Sequence, residues 1–217
     1  MALTDIGLVP EGRRVRHNLS MDATGPTPPK SSDAGFPSLA ELADRLATRP
    51  SPPVGAAERS AAVLICLHQD ELLLVRRRTD PRDKWSGQIG LPGGRYEVDD
   101  ETLLATALRE THEELGFELA GFGRMLGPLG TYFARLRQPD DLAIGVFIAE
   151  LVERPPLVLS DEIAAAHWIA LAALQTTYAS VPEKVEPVDA YTPISREGQL
   201  VIWGITYGIL ERMRSLE

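Results

Sequence analysis

Apolar residues recur at two spacings along this chain, and the change from one to the other marks its elements. Leu39, Leu42 and Leu46 stand three and four apart, the period of a helix with one buried stripe, and Ser38 before them is a favoured N-cap. A short helix is expected over 38–48. Ala61 to Leu67 and Leu72 to Val75 are compact apolar runs separated by Gln69-Asp70, the pattern of a β-hairpin. A loop rich in Arg, Pro and Gly follows over 78–94, then a helix over about 100–115. In that helix Asp99 is the expected cap, Asp100 and Glu101 fill the first turn at the favourable end of the dipole, and Gly116 is the stop. Strand-like runs recur at 129–134, 143–152 and 164–169. Trp203 to Met213 then reads as an amphipathic helix with Ile205, Ile209 and Met213 on one face. Strands alternating with helices make this an α/β chain.

The first stretch reads differently. Gly25-Pro26-Thr27-Pro28-Pro29 and Pro50-Ser51-Pro52-Pro53 are breaker clusters, and residues 1–36 show no apolar period. The expected organisation is a disordered N-terminal arm over 1–36 and one domain over 37–217. Arg13, Arg14 and Arg16 raise the question of a transit peptide. Asp5 and Glu11 interrupt the basic character and no apolar signal core is present, so the stretch reads as a solvated tail.

Composition changes the picture in three ways. The 217 residues are 44% hydrophobic and 24% charged, ordinary for a soluble domain with a full core, and no apolar run approaches the ~18 residues of a helical membrane span. The net charge of −9 opposes a general grip on nucleic-acid phosphates. A single cysteine, Cys66, excludes an internal disulfide framework and a thiolate zinc cluster, and makes the reducing cytoplasm the default location.

One segment carries chemistry. On a helix, Glu110 and Glu114 are i,i+4 neighbours and Glu113 lies three from Glu110, so three carboxylates crowd its last turns. Like charges repel there, and acids near a helix C-terminus meet the wrong end of the dipole. A divalent cation would neutralise the cluster, and oxygen donors without His or Cys suit Mg²⁺ or Mn²⁺. The plainer alternative is a solvated acidic face in which Arg109 pairs with Glu113. The preceding Pro92-Gly93-Gly94 favours the metal reading, because glycine backbone can approach a cation or a phosphate closely.

Together these residues resemble the Nudix box, Gly-x5-Glu-x7-Arg-Glu-U-x-Glu-Glu-x-Gly-U, where U is bulky and apolar. Glu101, Arg109, Glu110, Glu113, Glu114, Gly116 and Phe117 fall on the pattern. Thr111 replaces the first U, and six residues rather than five separate Gly94 from Glu101, which puts Arg95 on the strict glycine position. The resemblance implies a Nudix α/β/α sandwich with a mixed β-sheet, and a divalent-metal-dependent pyrophosphohydrolase acting on a nucleoside diphosphate linked to another group. It also implies roles. Glu110 and Glu114 become the main metal ligands, with the Gly94 carbonyl among them. Glu113 becomes a further ligand or the base that orients water, and Arg109 holds the carboxylates.

Upstream, Leu73-Leu74-Val75-Arg76-Arg77 leads through Arg82 and Gly87 to Pro92-Gly93-Gly94. This is similar to the extra signature of the coenzyme A pyrophosphatases, Leu-Leu-Thr-x-Arg-[Ser/Ala]-x3-Arg-x3-Gly-x3-Phe-Pro-Gly-Gly. Val75, Arg78 and Leu91 depart from it, and one extra residue lies between Arg82 and Gly87. The leading Leu-rich helix with Arg49-Pro50 and the closing Trp203-Gly204-Ile205-Thr206 also look like that subfamily. The implied reaction cleaves coenzyme A or its derivatives to 3′,5′-ADP and 4′-phosphopantetheine, with Arg77, Arg82, Gly93 and Gly94 on the substrate. Alternatives are ADP-ribose, NADH or a nucleoside triphosphate as substrate, or a Nudix-fold sensor that binds nucleotides and cleaves nothing. The expected partner is a small nucleotide-type molecule, with no nucleic acid and no membrane, and with room for a homodimer.

Physics gives the arginines a task. From Arg76 to Lys84 five basic residues stand against two acidic ones, and on a strand Arg77 leaves the face opposite to Arg76 and Arg78. The alternative is a basic strand edge that deters pairing. Glu162, next to Asp161 after a strand-like run, is a candidate distal base, against a solvated turn. His112, His68 and His167 read as non-catalytic, Cys66 as core filling, and Trp85 as either a stacking platform or a packed loop residue.

Overall fold

A computed structural model of the chain describes residues 35–55, 59–82, 85–135 and 141–216. Most of the expected arm, 1–34, and Lys84 of the basic loop lie outside the described residues. Phe36, assigned to the arm from sequence, packs on the core with its ring 6.3 Å from that of Tyr191.

In chain order the elements are α1 (Leu39–Leu46), β1 (Arg59–His68), β2 (Glu71–Arg77), β3 (Ile89–Gly90), β4 (Gly93–Arg95), α2 (Leu103–Leu115), α3 (Leu119–Phe122), β5 (Gly123–Arg135) and β6 (Asp141–Leu151). There follow β7 (Ile163–Ala170), β8 (Thr176–Ala179), β9 (Val188–Tyr191), β10 (Ile194–Ser195), β11 (Gly198–Gln199), β12 (Ile202–Trp203) and α4 (Gly204–Ser215).

The expected hairpin forms, with Gln69 at φ 56 in its turn. β1 and β2 stay paired only beside that turn, Leu67 with Leu72 and His68 with Glu71. They then part, and the glycine segment fills the fork: β3 pairs with β2, and β4 with β1. On its other side β2 pairs with β7, while β1 runs parallel to β6 from Arg59–Leu142 to Leu67–Glu150. β5 closes the far edge of this seven-stranded mixed sheet.

Strand alternation sends side chains to two cores. Leu64, Leu73, Val75 and Phe147 meet Leu103, Ala107 and Leu115 of α2. Ile65, Leu72, Leu74 and Ile148 meet Leu42 and Leu46 of α1 and Ile209, Leu210 and Met213 of α4. This is the expected three-layer sandwich. Each fully buried Leu or Ile contributes about 1.5–3 kcal/mol, so the sheet is a rigid platform for what its strand ends carry.

α1 keeps the Ser38 cap as a reciprocal capping box, in which Ser38 Oγ accepts the Glu41 N–H and the Glu41 carboxylate accepts the Ser38 N–H. Arg49, just past it, donates to the carbonyls of Leu129 (3.0 Å) and Leu216 (2.8 Å), and so ties α1, the β5 edge and the end of α4 together. Arg212 of α4 donates to the Thr131 carbonyl on the same edge.

Two expectations need correction, and one stretch without an expectation carries further strands. α2 starts at Leu103, capped by Thr102 Oγ1, which accepts the Ala105 N–H at 3.1 Å; Asp99 is not the cap and Asp100 and Glu101 are not helical. The run at 129–134 is the end of a strand that begins at Gly123, interrupted by register shifts at Met125/Gly127 and Pro128/Gly130. The stretch between β7 and α4 holds a three-stranded sheet, β12-β9-β8, and the β10–β11 hairpin. Among the described residues no helix is long and apolar enough to cross a membrane.

Candidate active site

α2 presents its carboxylates because its other face is consumed by the sheet. Leu103, Ala107 and Leu115 are buried, and the Thr111 hydroxyl, at the departure from the box pattern, satisfies itself by donating to the Ala107 carbonyl at 2.7 Å. Glu114 lies at the border of that face and is only 4% exposed. Its Oε2 accepts the Gly93 N–H at 3.0 Å, and its Oε1 stands 3.6 Å from Arg77 Nη1. Burial pushes this carboxyl up to about 7; the Gly93 N–H and Arg77 oppose the rise, and Glu110 and Glu162 add to it.

The two loop glycines are required for different reasons. Gly93 has φ 139, and a Cβ there would run into the Ala62 carbonyl and Val63 Cα of β1. Gly94, opposite Ala62, has the Glu110 carboxylate where its Cβ would be. Glu110 is therefore seated directly against the glycine backbone. Burial raises its carboxyl as well, offset by Arg109 and reinforced by Glu113 and Glu162.

Arg109 organises the cluster. Its Nη1 donates to Glu110 at 3.2 Å and to Glu113 at 3.1 Å, and its Nη2 donates to the Arg95 carbonyl at 3.1 Å. It is itself anchored by Asp100, through Nε to Oδ1 and Nη2 to Oδ2, both at 2.9 Å. Asp100 is buried and also accepts the Glu97 N–H and the Thr106 hydroxyl; the guanidinium holds its carboxyl far below the usual range. On the box pattern Glu101, not Asp100, takes the first glutamate position. The signal was present, because five residues separate Gly94 from Asp100, the strict spacing of the box.

A second loop closes the site. The α2 C-terminal carbonyls of Leu115 and Glu114 accept the N–H groups of Val158 (2.9 Å) and Ser160 (3.0 Å). Gly116, at φ 74, makes room for Val158. The Glu162 carbonyl accepts the Arg78 N–H at 2.7 Å. Glu162, exposed to solvent, is thereby held with Oε2 3.5 Å from Arg77 Nη2. Arg77 thus stands between Glu114 and Glu162, on the α2 face of the sheet.

Of the remaining residues singled out, Arg82 is not brought to this cluster. Its guanidinium is 90% exposed and pairs with Asp80 in its own loop, Nη2 to Oδ2 at 2.8 Å. His112 is exposed on α2. Cys66 is fully buried and its thiol is pushed up to about 12, as core filling requires. Among the described residues no three of His, Cys, Asp and Glu stand close enough together to hold a metal ion as placed, since the carboxylates turn to the arginines and to Gly93. The donor set nevertheless fits a hard divalent cation. It is all oxygen, and it includes two carboxylates whose ionised forms are disfavoured by burial, the condition a cation reverses.

With this geometry in hand, a family profile described as NUDIX domain matches residues 57–190. A protein from Yersinia pestis described as an uncharacterized Nudix hydrolase, NudL, is 30% identical over 167 residues, covering 73% of this chain and 79% of its own. The NudL of Yersinia pseudotuberculosis matches equally. Among solved structures, the MutT protein of Methanosarcina mazei overlaps 54% of this chain and 79% of its own at 24% identity, with a TM-score of 0.45.

Proposed function

The chain belongs to the Nudix family and is a hydrolase of diphosphate bonds, and from that premise we propose that its substrate is coenzyme A or a derivative, cleaved to 3′,5′-ADP and 4′-phosphopantetheine. The observation that carries the reading is Arg77, the arginine of the coenzyme A-type signature, which stands between the buried Glu114 and the exposed Glu162. It brings a cation to the face where the box carboxylates lie and where a substrate diphosphate must come.

The contacts support a role for each residue. Glu110, Glu113 and Glu114, with the Gly94 carbonyl, would hold Mg²⁺ or Mn²⁺, which when bound supplies charge neutralisation for the diphosphate. Arg109 fixes Glu110 and Glu113 by hydrogen bonds and is fixed in turn by Asp100. The Gly93 N–H orients Glu114. Arg77 exchanges a carboxylate for a substrate phosphate oxygen, a charge-assisted contact. Glu162, solvent-facing and tethered by the Ser160 and Arg78 backbone bonds, would take a proton from attacking water in this reading. Arg82 takes part only by giving up Asp80.

A panel of coenzyme A, dephospho-coenzyme A, ADP-ribose, NADH and nucleoside triphosphates, run with Mg²⁺ or Mn²⁺, tests the reading. Coenzyme A should give the highest kcat/KM. Preference for ADP-ribose, NADH or a triphosphate would replace the substrate while keeping the family chemistry. Absence of turnover on the whole panel would favour a nucleotide sensor, although all three box carboxylates and Arg109 are retained.

A further inference from the structure

Arg76 and Arg77 are neighbours on β2, and only Arg77 turns to the carboxylates. Arg76 lies opposite Ala165 on β7, and His167, two residues along that strand, shares the face that packs against α1 and α4. Glu197, at the tip of the β10–β11 hairpin, reaches over to both. Its Oε2 is 3.4 Å from Arg76 Nη1 and 3.9 Å from His167 Nε2. The tip is fastened on itself, with Ser195 Oγ donating to the Gly198 carbonyl and accepting the Glu197 N–H.

His167 is only 6% exposed, yet its Nε2 makes no hydrogen bond among the described residues. A desolvated ring nitrogen without a partner is uncommon and points to an absent ligand. On the other side of Arg76 lies Ile89 of β3, whose carbonyl accepts the Thr206 hydroxyl from the first turn of α4. That helix has Trp203 at its N-cap with no side-chain cap bond, so a positive helix end lies one strand away from Arg76.

We propose that Arg76 and His167 form a subsite for a phosphate monoester, on the sheet face opposite the box, with the Glu197 carboxylate as its resident stand-in. A guanidinium, an imidazole and a nearby helix N-terminus are the groups that recognise such an anion. The Glu197 oxygen sits against Arg76 but stops short of the His167 nitrogen, whereas a tetrahedral phosphate has three terminal oxygens to divide between them. Two sources share this chemistry: a free phosphate, or a monoester remote from the diphosphate of the substrate. In the second case the inference rests on the coenzyme A reading.

The test is NMR of the histidine side chains in the 217-residue chain, which has four histidines, titrated with inorganic phosphate and with adenosine 3′-monophosphate. Because it reads binding, it is independent of any turnover. Inorganic phosphate should shift the His167 signals; Glu197→Ala, by removing the competitor, should tighten the response about threefold or more, and Arg76→Gln should weaken it about tenfold. A shift with adenosine 3′-monophosphate alone would support the subsite and identify the substrate as its source. A His167 signal unmoved by either probe in the wild type and in Glu197→Ala would overturn the proposal, as would an Arg76→Gln titration identical to the wild type.

Discussion

Arg109 and Asp100 are joined by two parallel hydrogen bonds, Nε to Oδ1 and Nη2 to Oδ2, each 2.9 Å long. A planar fork held at both prongs cannot swivel, so the remaining donor, Nη1, stays aimed at Glu110 and Glu113. The side chain of Asp100 contacts Arg109, the Glu97 N–H and the Thr106 hydroxyl, so any effect it has on turnover is expected to pass through Arg109.

Asp100→Asn should therefore lower turnover by about 10–100-fold, the range for partners that orient ligands, and cost about 1–3 kcal/mol of stability. That is less than a fully buried pair, because Arg109 keeps part of its surface in water. The native carboxyl is held far below its unfolded value, so its stabilisation is complete above about pH 4 and is lost as pH falls through the folded pKa. Urea denaturation of both proteins should show the wild-type advantage shrinking below pH 4.

Glu114→Gln should lower turnover by ~10³-fold or more while strengthening the metal-free fold. The Glu114 carboxyl is raised from an ordinary value to about 7, so it carries no penalty below about pH 4 and the full penalty above 7. With a chelator present, the variant should match the wild type at low pH and exceed it by about 2–3 kcal/mol at pH 8. Equal denaturation midpoints at pH 8 would refute the burial of an ionised Glu114.

The two glycines separate fold from site. Gly94→Ala meets only the far end of the Glu110 side chain, so melting should change by less than about 1 kcal/mol while turnover falls at least about tenfold. Gly93→Ala meets β1 backbone at a positive φ and should cost more than about 3 kcal/mol. A thermal melt beside an activity assay distinguishes the pair.

Arg77→Ala should raise KM about 10- to 150-fold through loss of a charge-assisted contact, and Arg77→Lys should recover only part of it. Arg82→Ala should change KM less than about threefold, because Asp80 already occupies that guanidinium. A large Arg82 effect on coenzyme A would show that substrate displaces Asp80.

The legible parts of the chain were those with a strong local period or a cap. Ser38, the Leu39–Leu42–Leu46 stripe, the Gln69-Asp70 turn and Gly116 all announce themselves within a few residues. Arg77 was correctly assigned to the face opposite Arg76, since strand alternation needs only the strand. The full length of β5 was hidden because bulges at Gly127 and Gly130 break its alternation. Two-residue strands such as β10 and β11 have no period to read. Asp100 was assigned to a helix by its local dipole preference, and a tertiary bond to Arg109, nine residues on, overrode it. The docking of 158–160 on the end of α2 is long-range backbone bonding, which side-chain pattern does not encode.

The β5 edge has a consequence for how the protein fails. An outer strand of thirteen residues offers a row of unpaired carbonyls to any passing chain. Here Arg49, just past α1, and Arg212 of α4 cover the carbonyls of Leu129 and Thr131. Loss of either contact would uncover a strand already in the right conformation to template intermolecular β-pairing. Weakening the anchorage of α1 or α4 is therefore expected to promote association between copies before the core itself melts.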